Sequence, residues 1–320
     1  MNISVLGSGR WGTCIAWYLH KTGHNVTLWG HDGPHFRRLI AERRNDYMAL
    51  PDDMILLPDL SASIERSDVI VISISAQSLR SFVQDIALLK PKGKTFLLCM
   101  KGIEKGSGCR LTEIVNEYLA PDNDSAVWVG PGHVQNFIDG IPSCMVIDSA
   151  KPELTRFLVD SLSSDLIRFY YGDDLIGTEI GAASKNVMGI AAGMLDGAGL
   201  TSLKGPLMSR GICEISRLVA AMGGKAMTPY GLCHLGDYEA TLFSPFSHNR
   251  LFGELYIQGL PYGHLAEGVD TTYAVMTLAE KYDVDMPVCH MLRTILQANG
   301  TIDAKSVLNT LFSRQARTEF

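Results

Sequence analysis

The feature that most constrains the fold is an alternation of short apolar runs with longer amphipathic stretches over the first 172 residues. The runs are rich in β-branched residues and apolar on both faces, which is typical of strands buried within a sheet. The stretches between them, such as 78–89 and 111–119, repeat apolar residues at helical spacing. This alternation predicts a doubly wound, mainly parallel α/β sheet. The predicted strands are 3–7, 25–29, 69–75, 95–99, 126–130, 143–148 and 167–171.

The pattern changes after Asp173. No convincing alternating strand follows, and long helical patterns take over. One of them, residues 176–195, is rich in small apolar residues, as expected of a helix buried on all sides. Another, residues 205–224, closes on two glycines. We therefore predict two domains, an α/β domain over residues 1–173 and an all-helical domain over residues 174–320.

A glycine-rich loop, GSGRWG (7–12), directly follows the first predicted strand and opens a helix. In this context Gly7 permits a tight turn, Gly9 lets a pyrophosphate approach the backbone, and Gly12 allows close packing of helix on strand. The helix N-terminus offers free N–H groups to the phosphates. The pattern predicts a Rossmann-type dinucleotide site in the first domain. A glycine-rich turn formed by chance is the alternative.

The end of the second strand bears on which dinucleotide is bound. Sites that prefer NAD place Asp or Glu there to bond the ribose 2′-hydroxyl, whereas this chain has Gly30 and His31. Asp32 is expected to point beyond the strand. The missing acid, with His31 and Arg37 nearby, favours NADP as the cofactor over NAD. A site that takes either dinucleotide is the alternative.

Three charged residues are candidates for the chemistry of a reductase, which needs a proton donor beside the carbonyl that receives hydride. Lys185 lies in an apolar helix, where a lysine needs an anionic partner or a functional role. Asp237 follows an irregular glycine-containing stretch and could be that partner. Lys101 follows the fourth predicted strand. It is therefore expected at the carboxyl ends of the parallel strands, where ligands bind in such sheets. An ordinary ion pair and an exposed loop lysine are the structural alternatives.

Composition limits the partners and the compartment. The 320 residues carry a net charge of −6 with no basic block, which argues against nucleic acid or an anionic membrane as a partner. Seven cysteines are scattered without a C-x-x-C pair, so we expect reduced thiols and no metal site. The opening residues lack the features of a secretion signal, and no apolar stretch is long enough to insert stably into a membrane. We expect a cytoplasmic protein.

Several motifs together resemble the NAD(P)-dependent glycerol-3-phosphate dehydrogenases. In order, they are GSGRWG (7–12), MKGIE (100–104), GPGHV (130–134), DLIGTEIGAASKN (174–186), SRGICEISRL (209–218), GLCHLGDYEAT (231–241), SHNRLFGE (247–254) and AEGVDT (266–271). The resemblance covers nearly the whole chain. It implies a dimeric enzyme, used mostly in bacterial phospholipid synthesis, that reduces dihydroxyacetone phosphate to sn-glycerol 3-phosphate.

The resemblance also implies residue roles. Lys185 matches the catalytic lysine that acts as general acid or base, and Asp237 and Thr241 match residues that orient it. Lys101 completes the catalytic set. The residues expected to bind the substrate are Lys101, Gly130, Gly132, Lys185, Asn186, Lys204, Asp237, Ser247, His248, Asn249 and Arg250. The residues expected to bind the cofactor are Gly7, Gly9, Arg10, Trp11, Gly12, His31, Lys101, Val134 and Glu267.

Some positions depart from the family pattern. His248 replaces the arginine that grips the substrate phosphate, Gly132 replaces a hydroxyl residue, and Lys204 is an added cation. These changes leave three hypotheses. In the first, His248, Arg250 or Lys204 holds the phosphate of the same substrate. In the second, the enzyme reduces a different small phosphorylated or carboxylated ketone. The third is a nucleotide-sensing protein without turnover, which retention of Lys101, Lys185, Asn186 and Asp237 disfavours.

Overall fold

The computed structural model describes residues 1–298, which divide into two compact units. Unit 1 comprises Met1–Met100 and Leu111–Asp173, and unit 2 comprises Lys101–Arg110 and the chain from Asp174 onward. Residues 299–320 of the predicted helical domain lie outside the described residues. The predicted fold class, a Rossmann-type sheet followed by a helical region, is confirmed.

Unit 1 contains one eight-stranded sheet in the order β3-β2-β1-β4-β5-β6-β7-β8. All neighbours are parallel except β6 and β7, which pair antiparallel. The strands are β1 (Asn2–Leu6), β2 (Asn25–Trp29), β3 (Ile55–Leu57), β4 (Val69–Ile72), β5 (Thr95–Leu98), β6 (Asp124–Val129), β7 (Ser143–Ser149) and β8 (Ile167–Tyr171). Strand β3 was not predicted, because three residues at a sheet edge carry too little periodicity to be recognised.

Helices connect these strands. They are α1 (Arg10–Lys21), α2 (Pro34–Glu42), α3 (Leu60–Glu65), α4 (Leu79–Leu88), α5 (Leu111–Leu119), α6 (Val134–Ile138) and α7 (Pro152–Leu162). Trp128 on β6 packs edge-on against Tyr18 of α1 and Phe169 of β8, with ring centroids 5.8 and 4.8 Å apart. The Trp128–Tyr18 pair fixes α1 against the sheet, and the Trp128–Phe169 pair joins side chains of two strands.

Unit 2 has no strand among its described residues. Its helices are α8 (Leu175–Gly197), α9 (Lys204–Ala221), α10 (His248–Ile257), α11 (Glu267–Lys281) and α12 (Pro287–Ala298). Every residue of α8 from Gly177 to Leu195 is buried, which explains why this helix is apolar and small-residue-rich on all faces. A membrane-spanning helix is not found in residues 1–298, since none is both long and apolar enough.

The segment Lys101–Arg110 joins unit 2 through one apolar and two charged side chains. Ile103 is fully buried in the helical core. Arg110 donates to the buried Glu179 carboxylate of α8 at 2.6 Å, and Lys105 pairs with Asp270 of α11 at 2.8 Å. The buried contacts of Ile103 and Arg110 hold this segment, and with it Lys101, in unit 2, whereas the exposed Lys105 pair contributes little.

Candidate active site

The glycine loop of unit 1 has the geometry that a pyrophosphate requires. Gly7 has a φ of +125°, and a Cβ there would lie 2.1 Å from the Ser73 carbonyl oxygen. A Cβ at Gly12 would lie 1.9 Å from the Gly7 oxygen, so both positions exclude a side chain. A Cβ at Gly9 would meet nothing within 4 Å. Because Gly9 provides no side-chain cap, the first amides of α1 remain available to an anion.

The residues after β2 occupy the positions where an acidic residue that bonds the ribose 2′-hydroxyl is expected. Gly30 is buried, and a Cβ there would lie 2.4 Å from the Phe36 ring and 2.5 Å from Ser8 Oγ, so the position cannot carry a carboxylate. His31 is exposed. Asp32 accepts two bonds from Arg37, at 2.7 and 3.1 Å, instead of standing alone. Packing therefore explains the absence of the acid at position 30.

Other predicted cofactor residues of unit 1 pack beside the loop. Arg10 donates to Gln135 Oε1 at 2.6 Å and lies 4.9 Å from the Tyr47 ring centroid. Trp11 faces Phe137 at 6.1 Å. Val134 is buried as the first residue of α6.

Two glycines of the GPG loop are also constrained by packing. Gly130 has a φ of +134°, and a Cβ there would lie 2.9 Å from Met145 Cα. A Cβ at Gly132 would lie 2.7 Å from the Phe137 ring and 3.4 Å from Trp11. Because those rings fill the space beside Gly132, a serine or threonine there would require them to move.

In unit 2 a cluster of charged and polar side chains contains all four predicted catalytic residues. Lys185 Nζ of α8 lies 2.6 Å from Asp237 Oδ2, and Lys101 Nζ lies 2.7 Å from the same oxygen. Lys185 also donates to Thr241 Oγ1 at 2.8 Å. Asn186 donates to the Lys101 carbonyl oxygen at 3.4 Å. One carboxylate oxygen therefore holds two ammonium groups at once.

This arrangement perturbs the central lysine. Burial lowers the pKa of Lys185 from 10.5 to about 7. The Asp237 carboxylate opposes the shift, and the second ammonium of Lys101 adds to it. A group whose pKa lies near neutrality can both give and take a proton, which is the requirement for a general acid or base.

A second charged cluster surrounds Asp196 at the end of α8. Lys204 donates to Asp196 Oδ2 at 2.6 Å and to the Leu242 carbonyl oxygen at 2.9 Å. Arg250 contacts the same Asp196 oxygen at 2.8 Å and Glu254 at 2.8 Å. Two cations and two carboxylates balance one another here. Arg250 and Lys204 are thus engaged in internal ion pairs.

The remaining predicted substrate residues lie on or near α10. Ser247 caps this helix by accepting from the Arg250 amide at 3.3 Å. His248 Nδ1 lies 2.6 Å from the Tyr262 hydroxyl, and its ring centroid lies 5.7 Å from that of His264.

Asn249 Oδ1 accepts from the Gly268 amide at 2.9 Å, beside Glu267, the first residue of α11. The Asn249 bond ties the start of α10 to the start of α11. Of the residues predicted to bind the cofactor, Lys101 and Glu267 belong to unit 2, and the others belong to unit 1.

Three polar residues in or beside these clusters, the half-buried Asp196 and the buried His234 and Tyr238, were not predicted from the sequence. Asp196 anchors Lys204 and Arg250, while His234 and Tyr238 flank Asp237 with 0% and 1% exposure. The signal available was a histidine and a tyrosine four residues apart around a candidate aspartate. No group of three or more His, Cys, Asp or Glu side chains able to hold a metal occurs within residues 1–298.

Comparison with known proteins agrees with these features. Residues 2–155 match the N-terminal model, and residues 174–306 the C-terminal model, of NAD-dependent glycerol-3-phosphate dehydrogenase. A glycerol-3-phosphate dehydrogenase [NAD(P)+] of Aromatoleum aromaticum is 34% identical over 331 residues, covering 100% of both chains. The Prosthecochloris aestuarii enzyme of that name is 36% identical over 311 residues, covering 92% of this chain and 93% of its own.

A solved structure is similar over the same length. The crystal structure of glycerol-3-phosphate dehydrogenase from Coxiella burnetii superimposes with a TM-score of 0.90 at 29% identity, covering 98% of this chain and 99% of that one. The sequence resemblance is thereby confirmed, and with it the assignment to oxidoreductases that act on a CH–OH group with NAD or NADP. The chain belongs to the NAD-dependent glycerol-3-phosphate dehydrogenase family.

Proposed function

We propose that this enzyme interconverts dihydroxyacetone phosphate and sn-glycerol 3-phosphate with NAD(H) or NADP(H). The observation that carries the proposal is the Lys101–Asp237–Lys185 cluster, in which one carboxylate oxygen holds two ammonium groups at 2.7 and 2.6 Å. Reduction of a ketone needs a hydride at carbon and a proton at oxygen. The cluster supplies the proton.

Lys185 acts as the general acid in the reducing direction. The protonated ammonium gives a proton to the carbonyl oxygen as the C–H bond forms, and Lys185 is left as a neutral amine. Its pKa of about 7 makes both forms accessible at neutral pH. In the oxidising direction the neutral amine takes the hydroxyl proton. Thr241 and Asp237 hold the Lys185 nitrogen from two sides throughout.

The cofactor, when bound, supplies or accepts the hydride. The glycine loop and the first amides of α1 would hold its pyrophosphate, because there is open space at Gly9 while Gly7 and Gly12 are tightly packed. We propose that the site binds NADP(H) at least as well as NAD(H). This rests on Gly30, where packing forbids the acid that would bond a 2′-hydroxyl.

For the substrate phosphate we propose a contact with His248. Arg250 and Lys204 already neutralise Asp196 and Glu254, so recruiting either cation would cost an existing ion pair. Histidine carries a full charge only when protonated, and its unperturbed pKa is about 6.5. Substrate affinity through His248 therefore depends on pH. Lys101 and Asn186 complete the substrate contacts in this proposal.

The second candidate is reduction of a different small ketone. It is favoured by the same departures, because His248 and Gly132 remove an arginine and a hydroxyl from the substrate side of the family pattern. A nucleotide sensor without turnover is disfavoured, since a sensor has no use for a lysine whose pKa is lowered to about 7.

The cellular setting completes the proposal. All seven cysteines are free thiols, as expected in a reducing compartment. We propose a homodimer in the cytoplasm. Light scattering of the purified enzyme gives the oligomeric state directly, and a monomeric mass would refute the dimer.

The deciding experiment measures turnover of the purified enzyme with NADPH and with NADH. Dihydroxyacetone phosphate should drive oxidation of the cofactor with formation of equimolar glycerol 3-phosphate. Unphosphorylated dihydroxyacetone and small 2-oxo acids serve as comparison substrates. A kcat/KM for any comparison substrate above that for dihydroxyacetone phosphate would favour the second candidate, and binding of cofactor without turnover of any ketone would favour the sensor.

A further inference from the structure

Two buried polar side chains flank the aspartate that holds both lysines. His234 precedes Asp237 by three residues and is 0% exposed, and Tyr238 follows it and is 1% exposed. The Tyr238 hydroxyl lies 2.7 Å from His234 Nε2, and His234 Nδ1 lies 2.8 Å from the carbonyl oxygen of Gly181 on α8. Neither side chain has a role in the mechanism described so far.

The partners determine the direction of each hydrogen bond. The Gly181 carbonyl oxygen only accepts, so His234 Nδ1 carries the hydrogen and donates. Burial lowers the pKa of His234 to about 4, so the ring is neutral near pH 7 and its Nε2 accepts from the Tyr238 hydroxyl. The two side chains thus form one uncharged relay, from Tyr238 through His234 to the backbone of α8.

The relay joins the two segments that carry the reacting groups. Gly181 lies one helical turn before Lys185, and its carbonyl is the expected acceptor of the Lys185 backbone amide. The 3₁₀ turn Leu235–Asp237 follows His234, whose own carbonyl accepts from the Asp237 amide at 3.1 Å. A bond from the His234 ring to Gly181 therefore ties the aspartate turn to the helical turn of the lysine.

The close approach depends on the glycine. A Cβ at position 181 would lie 2.9 Å from Cys233 Sγ and 3.4 Å from His234 Cβ. Gly181, His234 and Tyr238 thus form one closely packed contact between α8 and the 3₁₀ turn that carries Asp237.

We propose that His234 and Tyr238 are positioning residues that hold Asp237 at hydrogen-bond distance from Lys185 and Lys101. The inference rests on the proposed function, in which Lys185 transfers the proton. Asp237 reaches both ammonium groups through one oxygen, so a small movement of its turn lengthens both contacts together. A neutral relay provides the necessary rigidity without placing a third cation beside Asp237.

A few ionisable groups act on Lys185 and on the Tyr238 end of the relay. Lys101 and Asp237 are the charged groups that act on Lys185. Glu214 of α9 and Cys289 of α12 face Tyr238, where burial holds the tyrosine pKa well above its usual value. Tyr238 therefore remains a hydrogen-bond donor over the whole working pH range.

The test compares Tyr238→Phe with Tyr18→Phe. Both substitutions remove one hydroxyl from a buried ring, and the Tyr18 hydroxyl bonds to Leu162 and Ser164, both in unit 1. Reduction needs protonated Lys185, so kcat at saturating substrate, which does not contain the proposed effect of His248 on KM, falls as pH rises through the Lys185 pKa. Because Asp237 raises that pKa, a loosened turn lowers it. Tyr238→Phe should move the alkaline limb down by about half a pH unit or more and lower kcat about tenfold.

Tyr18→Phe should leave the limb in place, and the KM for the cofactor should be unchanged in both variants. A folded Tyr238→Phe enzyme with the wild-type limb would overturn the proposal. His234→Asn, whose amide can still donate to Gly181, should shift the limb less than His234→Leu. An equal shift for both would also overturn it.

A measurement on the unmodified protein keeps the proposal testable if a variant fails to fold. The ¹⁵N chemical shifts of the His234 imidazole should report the neutral Nδ1–H form from about pH 5 to pH 9. A ring that titrates in this range, or the other tautomer, would overturn the relay. An inactive wild type would refute the proposed function alone. The relay would then be judged on the pKa of Lys185 measured by NMR in wild type and Tyr238→Phe.

Discussion

Replacing Lys101 by methionine should raise the pKa of Lys185. The two ammonium nitrogens share one oxygen of Asp237, at 2.7 and 2.6 Å, so they lie no more than about 5 Å apart. Two unit charges at that separation repel by roughly 3 kcal/mol at an effective dielectric constant near 20, which corresponds to about two pKa units. The Lys101 side chain is 17% exposed, so solvent screening reduces the expected shift to about one unit or slightly more.

The assay is the pH profile of kcat for ketone reduction at saturating substrate, which does not contain the proposed effect of His248 on KM. Its alkaline limb should move from about pH 7 in the wild type to about pH 8 or above in Lys101→Met. The absolute rate should fall as well, because Lys101 is also proposed to contact the substrate, but the limb position is independent of that loss. Lys105→Met removes a lysine from the same segment that pairs with Asp270 instead, and it should leave the limb unchanged. A limb that stays in place or moves down in Lys101→Met would refute the coupling.

Cofactor choice, the phosphate contact and helix packing each have a direct test. NADPH should bind at least as tightly as NADH, and a tenfold preference for NADH in binding titrations, ~1.4 kcal/mol, would contradict the inference from Gly30. The KM for dihydroxyacetone phosphate should rise from about pH 6 to pH 8. His248→Arg should lower this KM and flatten its pH dependence, and an unchanged profile would show that His248 does not contact the phosphate. Gly193→Ala should cost roughly 2 kcal/mol or more in denaturant unfolding, because its Cβ would lie 1.8 Å from the Arg250 carbonyl oxygen. Gly205→Ala, which meets open space, should be neutral or stabilising by up to about 1 kcal/mol, and equal stabilities of the two variants would contradict the packing assignment.

Much of the fold was predictable from periodicity. Strands buried on both faces and long helices both leave strong patterns, so seven of the eight strands and the helical character of the second half were identified. The short edge strand β3 was not, because three residues form no pattern. The antiparallel pairing of β7 with β6 was not predicted either, since a buried strand reads alike in both directions.

The site was predictable where a residue type is out of place. Lys185 in an apolar helix required a partner, and the structure provides Asp237. The sequence did not indicate that Lys101 shares that carboxylate, because this depends on a loop held by Ile103 and Arg110 against distant helices. The internal pairing of Arg250 and Lys204 was equally hidden, since Asp196 lies in an unremarkable stretch of helix.

The central claim, that Lys185 delivers the proton, is tested most directly by turnover and cofactor binding of Lys185→Met. Loss of a general acid lowers the rate by about 10²–10⁴-fold, and loss of the charge held by Asp237 adds to that. We predict that kcat for dihydroxyacetone phosphate reduction falls by at least a hundredfold, while the Kd for NADPH stays within about twofold because the glycine loop is untouched. A folded Lys185→Met protein with near-normal kcat would contradict the account.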